Sequence, residues 1–298
     1  MKVLVIIVTY NGMQWVERCL GSVRSSLVKA DAFVVDNGST DGTQEYILQH
    51  FPETIFHQSK KNLGFGKANN LGLQYALDNE YDYVYLLNQD AWVMPDTFEK
   101  LIAISRKHPE YGILSPFQME ANMKHIDTNF KKHVCSWESS PDLLDHLYLN
   151  LSKDVYDVDK VMAAHWFITR ACLLKVGGFS PIFPHYGEDG NFSERVAYHG
   201  FKVGIVPSLQ VVHDRENRKS NKSKIIYYRY ISLLGSLSSP FEKGCSKALV
   251  NLVFLLFKYK SVAPIKYLFS ILINYRKIKR YRIDSMTSEC AFLVEQVI

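Results

Sequence analysis

Residues 82–91 read Asp82-Tyr83-Val84-Tyr85-Leu86-Leu87-Asn88-Gln89-Asp90-Ala91. A β-prone apolar run ends abruptly in Asn88, Gln89 and Asp90. Strands of parallel sheets read as unbroken apolar runs because helices cover both faces. Polar residues at the carboxyl end of such a strand stand where open α/β sheets bind ligands. An Asp there is placed to hold a divalent cation between two phosphates. The same residues also suit an ordinary turn, so the flanking sequence decides.

Upstream, Val3 to Val8 predicts a short strand, followed by the turn Thr9-Tyr10-Asn11-Gly12. Val16, Leu20, Val23 and Leu27 recur at helical spacing. Ala32 to Val35 predicts a second strand ending at Asp36. The polar turn Asp36 to Gly42 follows, with Thr40 or Asp41 capping a helix through Tyr46, Ile47 and Phe51. Strand, helix, strand, helix at short intervals predicts an α/β fold with a parallel sheet. Asp36 stands where nucleotide-binding sheets place a carboxylate on ribose or base; a simple Asx-turn is the lesser alternative. Asn62 to Gly72 begins glycine-rich and runs into a helix, so backbone can approach a ligand and Lys67 can meet phosphate. The glycine spacing is not that of the dinucleotide fingerprint.

Downstream, Pro95 and Asp96 open a helix with Phe98, Leu101 and Ile102 on one face, and Ile113 to Pro116 predicts a strand. Met119 to Asp159 lacks a clear period and reads as an insertion shaping an acceptor site. Val161 to Thr169 predicts a strand, and Arg170 to Val176 a short helix closed by Gly177-Gly178. Phe192, Val196 and Ala197 are helically spaced, which puts Glu188 and Asp189 at a helix start. Acids favour that position electrostatically. The same field lowers a carboxyl pKa, so a base there needs burial to oppose it. Leu209 to Val212 predicts a strand ending in His213-Asp214, where a His is a metal ligand or simply a surface residue.

The chain has 298 residues, 47% apolar and 22% charged, enough for one large α/β domain with an appendage or for two domains. Its five cysteines are scattered, with no metal-ligand spacing and no disulfide framework, which suits a reducing cytoplasm. Met1 to Thr9 is too short for a signal peptide and is followed by no small-residue cleavage site. The net charge of +5 hides an asymmetry. Lys219 to Arg282 holds fourteen Lys and Arg against Glu242 alone, a net +13, which leaves −8 for the rest. A basic tail on an acidic body suits an anionic surface. Ala248 to Phe257 and Ile265 to Ile273 are apolar but too short to span a bilayer. Edged with Lys, Arg and Tyr, they fit a membrane surface; packing on the body, or on a second copy as a homodimer, is the other use. No nucleic-acid-binding module accompanies the charge.

Six short runs occur in a set order: Val8-Thr9-Tyr10-Asn11, Val35 to Gly42, Asn62 to Gly66, Leu87 to Ala91, Val176-Gly177-Gly178-Phe179 and Glu188-Asp189. Each is weak alone. Together, over Met1 to Asp214, they resemble family 2 glycosyltransferases, closest in look to the bacterial rhamnosyltransferase-like members. The resemblance implies a GT-A fold: a Rossmann-like, mostly parallel sheet flanked by helices over 1–216. Its nucleotide half covers about 1–116 and its acceptor half about 117–216, with 217–298 a basic, apolar helical tail. It implies inverting transfer from a UDP- or dTDP-sugar to a saccharide or lipid-linked acceptor with Mg2+ or Mn2+, in surface polysaccharide assembly; the basic tail places that work at the inner face of the cell membrane.

Residue by residue, the resemblance puts Thr9, Tyr10 and Asn11 in the nucleotide pocket and Asp36 on base or ribose. Asn62 and Lys67 flank the nucleotide. Asn88, Gln89 and Asp90 occupy the family's Asp-x-Asp position. Asn88 replaces the first Asp and bonds a hydroxyl without bringing charge, while Asp90 keeps the metal-ligand role. Asp189 matches the catalytic base, Glu188 contacts acceptor or donor sugar, and His213 is a further metal or phosphate ligand. The chemistry asks for such groups. A hydroxyl needs a carboxylate to take its proton as it attacks, and a cation stabilises the departing diphosphate. A single displacement needs one base rather than the carboxylate pair of a glycosidase. A sugar-nucleotide nucleotidyltransferase would want a basic glycine-rich loop after the first strand, which Tyr10-Asn11-Gly12-Met13 is not. A non-catalytic sugar-binding protein would leave Asp90 and Asp189 without a task.

Overall fold

The computed structural model describes residues 1–215, 221–241 and 243–293. In β1 (Val3–Thr9) successive side chains point to opposite faces. Leu4 and Ile6 enter one core; Val3, Val5 and Ile7 enter another. Both faces need cover, which explains the unbroken apolar run. α1 (Met13–Arg24) supplies Val16, Cys19, Leu20 and Val23 to the second core. It stops short of Leu27, which is exposed. β2 (Asp31–Asp36) and α2 (Thr43–His50) follow. Gly42 occupies the cap position, and Asp41 accepts from the Thr43 N–H and hydroxyl. β3 (Ile55–Gln58) leads to α3 (Phe65–Asp78), which covers the first face with Ala68, Leu73 and Ala76.

β4 (Tyr83–Asn88) alternates in the same way: Val84 and Leu86 face the first core, Tyr85 and Leu87 the second. The two-residue β5 (Ala91–Trp92) and α4 (Thr97–Lys107) follow, the helix burying Phe98, Leu101 and Ile102. β6 (Tyr111–Met119) is buried throughout. The aperiodic insertion folds into two short helices, α5 (Thr128–His133) and α6 (Leu143–Tyr148), and an edge strand, β7 (Tyr156–Asp157). β8 (His165–Thr169), α7 (Arg170–Val176), α8 (Glu188–Tyr198) and β9 (Lys202–His213) complete the body.

Among the described residues, nine strands form one sheet, ordered β3-β2-β1-β4-β8-β6-β9-β5, with β7 on β9. β3, β2, β1 and β4 are mutually parallel. β8 is antiparallel to both β4 and β6, and β6 runs parallel to β9. The register of β6 on β9 shifts between Pro116 and Phe117, which bends β9. Its far end then pairs with β5, Ala91 against His213. This is the GT-A arrangement, and the bend returns the sheet's last strand to the mouth of β4.

The helical region packs against the body. α9 (Lys222–Ser238), α10 (Ser246–Tyr259) and α11 (Ala263–Thr287) form a third core around Leu234, Leu252, Ile271 and Ile278, which also takes Phe183. The chain then returns to α7. The Cys290 N–H donates to the Leu174 carbonyl (2.9 Å), the Gly178 N–H to the Ala291 carbonyl (2.8 Å), and Leu293 enters the first core. Gly177 makes this possible: its φ is +80°, and a Cβ there would lie 2.1 Å from the Ala291 carbonyl oxygen. The boundary expected at 216/217 lies outside the described residues. α10 and α11 leave a face bare: Phe254, Phe257, Phe269, Leu272 and Ile273 are all more than half exposed, Phe257 76%. No helix among the described residues is long and apolar enough to cross a membrane.

Candidate active site

The loops after β1, β2 and β4 meet at the carboxyl edge of the sheet. The buried Thr9 hydroxyl donates to Asp36 (2.8 Å). Asn11, at φ +48°, joins two loops: its N–H donates to the Ser39 hydroxyl (2.9 Å), and its Oδ1 accepts from the Thr40 N–H (2.9 Å). Gln89 grips the backbone of Tyr10, accepting from its N–H (2.8 Å) and donating to its carbonyl (3.2 Å). That leaves the Tyr10 ring half-exposed at the rim.

Asp36 departs from expectation. It is fully buried, and both oxygens are taken. Oδ1 accepts from the Gly38 and Ser39 N–H groups and from Gln44; Oδ2 accepts from the Thr9 and Ser39 hydroxyls. A contact to base or ribose needs an oxygen open to the cleft. In this structure Asp36 orders the loop instead.

Asp90 and His213 form the centre of the mouth. Because Ala91 pairs with His213, the His213 Nε2 lies 3.5 Å from Asp90 Oδ1. The Asp214 N–H donates to the Asp90 carbonyl (2.7 Å), pinning the two strand ends together. Burial pushes the Asp90 carboxyl up. The His213 hydrogen bond and charge, with Arg215, outweigh that and hold it below the usual range. Asn88 approaches His213 at 3.5 Å. Beneath them His165 is fully buried. Its Nε2 faces the Val212 carbonyl (2.9 Å), which fixes the proton there, so Nδ1 accepts from the Tyr85 hydroxyl (2.8 Å). Burial, then the charge of His213, hold His165 down at about 3, so it is neutral. Among the described residues no group of three or more His, Cys, Asp or Glu converges. Asp90 and His213 are the carboxylate and imidazole that the strand ends bring together. That fits a divalent cation whose other positions go to phosphate oxygens and water.

Glu188 and Asp189 start α8, behind Gly187 at φ +85°. The helix N-terminus favours the carboxylate forms, but burial wins for both. Burial first, then the Asp189 charge, push Glu188 up to about 7, and its buried Oε2 has no hydrogen-bond partner. Burial also raises Asp189, against the Gly190 N–H (2.8 Å) and the charges of Lys160 and Arg215. A partly desolvated carboxylate of raised pKa is suited to accept a proton. His133, at the end of α5, and Lys160, just past the insertion, stand within electrostatic reach of Asp189.

Two further expectations change. Asn62 is exposed and caps its own turn, accepting from the Gly64 N–H (2.8 Å). Lys67 does not flank the nucleotide loops. It lines a cleft against Pro184, α9 and α11, because α3 rotates it away from the sheet edge while Ala68 and Asn69 turn inward.

The glycosyl transferase family 2 model matches residues 4–155, which span β1 to the start of β7 and include Asp36 and Asp90. The chain belongs to glycosyl transferase family 2. It is 25% identical over 231 residues to the N-acetylglucosaminyl-diphospho-decaprenol L-rhamnosyltransferase of Mycobacterium tuberculosis, covering 71% of this chain and 75% of that one. It is 33% identical over 260 residues to glycosyltransferase GlyA of Streptococcus pneumoniae, covering 81% of this chain and 36% of that one. The structure of mannosyltransferase PcManGT from Pyrobaculum calidifontis, in complex with GDP-Man and Mn2+, shares the fold. The TM-score is 0.55 at 16% identity, over 100% of this chain and 88% of that one.

Within this family 2 glycosyltransferase, two site residues escaped the sequence reading. Arg215 lies 3.4 Å from His213 Nδ1 and acts electrostatically on both Asp90 and Asp189. Its signal was a cation directly after the strand-end His213-Asp214. His165 carried only the hint of a polar residue inside an apolar strand.

Proposed function

We propose that this glycosyltransferase moves a sugar from a UDP- or dTDP-sugar to a hydroxyl of a lipid-linked saccharide, with inversion, at the inner face of the cell membrane in surface polysaccharide assembly. One observation carries the reading: Asp90 lies against His213, and Arg215, 3.4 Å from His213, lowers the carboxyl pKa of both Asp90 and Asp189. A metal centre and a base around one cation suit displacement of a diphosphate.

In this scheme Asp189 takes the proton of the acceptor hydroxyl as its oxygen attacks the anomeric carbon. The bond from that carbon to the diphosphate breaks, and the electron pair leaves with the nucleotide. One base and one displacement invert the centre. Thr9, Tyr10, Asn11 and Gln89 shape the nucleotide pocket from a loop that Asp36 holds rigid. Asp90 and His213 would hold Mg2+ or Mn2+; when bound, that ion neutralises charge on the departing diphosphate. Asn88 bonds a hydroxyl, and Glu188, protonated below about pH 7, donates a hydrogen bond to sugar. Arg215, beside His213, adds positive charge for the departing phosphates.

The bare apolar face of α10 and α11 is read as the membrane-binding surface. Lys258, Lys260 and Lys266 lie among its apolar residues, and Lys219 to Arg282 carries +13 overall. An anionic leaflet complements both features. The lipid-linked acceptor named for the M. tuberculosis relative supports the same placement. Screening UDP- and dTDP-sugars with polyprenyl-diphosphate saccharides, and reading the product's anomeric configuration by NMR, tests the reading. A retained anomeric centre, or transfer only from a non-nucleotide donor, refutes it.

A further inference from the structure

Lys67 and Lys277 come from distant parts of the chain and line one cleft of about 280 Å³. Lys67 stands on the first turn of α3, Lys277 on α11. Both are exposed, and among the described residues no carboxylate forms an ion pair with either. Between them the lining offers Tyr230, Ser270 and Asn274, neutral hydrogen-bonding groups, together with apolar walls such as Ile182. The cleft lies close to the catalytic helix. A Cβ built on Gly64 would lie 3.1 Å from the Pro184 carbonyl oxygen, and one built on Gly66 would lie 3.8 Å from the Glu188 Cβ. Ile231, the neighbour of Tyr230, packs on Gly187. On its outer side α11 continues into exposed Phe269, Leu272 and Ile273.

We propose that this cleft binds the diphosphate of an isoprenoid-linked acceptor. The Lys277 ammonium lies over the Tyr281 ring (5.4 Å), a contact that leaves its charge uncompensated; with Lys67 it attracts a polyvalent anion, and ammonium is an effective point-charge partner for phosphate. The neutral lining adds hydrogen bonds without repelling it. The apolar surface of α11 takes the first isoprene units. The sugar on the other side of the diphosphate then stands on the Glu188–Asp189 side of the cleft. The inference rests on the lipid-linked acceptor proposed above and deepens it by assigning a site. Lys67 is a specificity residue here and takes no part in the proton transfer.

The test measures equilibrium binding of farnesyl diphosphate to the full-length protein by calorimetry in EDTA, so that no divalent cation recruits the probe to Asp90. Inorganic pyrophosphate and farnesol are the separate arms, and Lys29→Glu is the surface-charge control. Farnesyl diphosphate should bind at least about tenfold tighter than either arm. Lys67→Glu and Lys277→Glu should each weaken it about tenfold or more, the usual worth of a charge-assisted hydrogen bond, with UDP affinity unchanged. Absence of binding, equal binding by both variants, or displacement of farnesyl diphosphate by UDP would overturn the proposal. Pyrophosphate binding as tightly as farnesyl diphosphate would make this a free-phosphate site and overturn the lipid assignment. Transfer only to lipid-free saccharides would defeat the functional reading while leaving the binding result intact. Efficient transfer to a lipid-linked acceptor by both variants would defeat the cleft alone.

Discussion

His213 stands 3.5 Å from Asp90, on the two-residue pairing that joins β9 to β5. The proposed function makes this contact the metal site at the end of β4. Asp90→Ala should therefore weaken Mn2+-dependent nucleotide binding by roughly 100-fold, since a bridging cation contributes several kcal/mol. The far-ultraviolet circular dichroism should not change, because Asp90 lies outside the cores. Titrating UDP with and without Mn2+ checks this. Unchanged affinity would remove Asp90 from the metal site.

Asp189→Asn should cut transfer by roughly 100-fold or more, the usual size of a general-base contribution. Donor binding should persist. In the native enzyme kcat/KM should rise with pH through a carboxyl pKa above the ordinary Asp value, because burial raises Asp189. A larger loss in Glu188→Gln than in Asp189→Asn would move the base to Glu188.

Glu188 ties stability to pH. Its folded pKa is pushed up to about 7, so the folded state holds this proton more tightly than the unfolded chain does. The stabilisation is complete below the ordinary carboxylate range and disappears as pH rises through about 7. Its size is on the order of 3 kcal/mol. Glu188→Gln should melt close to the native protein at pH 4 and above it at pH 8. Melting curves at the two values decide, and equal differences at both would refute the burial argument.

Gly187 has φ +85°, and a Cβ there would lie 2.5 Å from Ile231 Cγ2 on α9. Gly187→Ala strains the backbone and pushes α9 off the start of α8. It should cost about 1–3 kcal/mol and lower kcat more than donor affinity. Denaturant midpoints with steady-state kinetics test both parts. Removing everything after Arg215 should be more damaging still, because Phe183 and the surface of α7 lose their cover.

Each Lys or Arg near an anionic leaflet contributes about 1 kcal/mol, less as salt screens it. The protein should sediment with anionic vesicles at low salt and release in part at high salt. Phe257→Ser with Phe269→Ser should weaken what binding remains at high salt, because those rings are exposed. If neither variant nor salt changes sedimentation while the protein is dimeric, the face is a subunit interface.

Local pattern was enough to identify β1, β2, β4, β6, β8 and the end of β9, but not the two-residue β5 and β7. β1 and β4 are apolar throughout because alternate residues serve two cores, and that requirement shows in the sequence at β4's Tyr83 to Leu87. The end of a strand and the start of a helix are likewise local events, so the places of Asp90 after β4 and of Asp189 at the start of α8 were legible. Tertiary structure alone decided how they meet. The Asp90–His213 contact depends on a register shift in β9 and a two-residue pairing, neither of which leaves a periodic mark. The direction of Lys67 depends on rotation about α3, where one residue turns the side chain by about 100°. The saturation of Asp36 depends on the end of β1, its own loop and α2 closing over it. The packing of α9 on Gly187 depends on shape, to which hydrophobic periodicity is blind. Sequence pattern determined which faces are buried and where polar residues interrupt them. Long-range register and close packing decided which of those residues share a site.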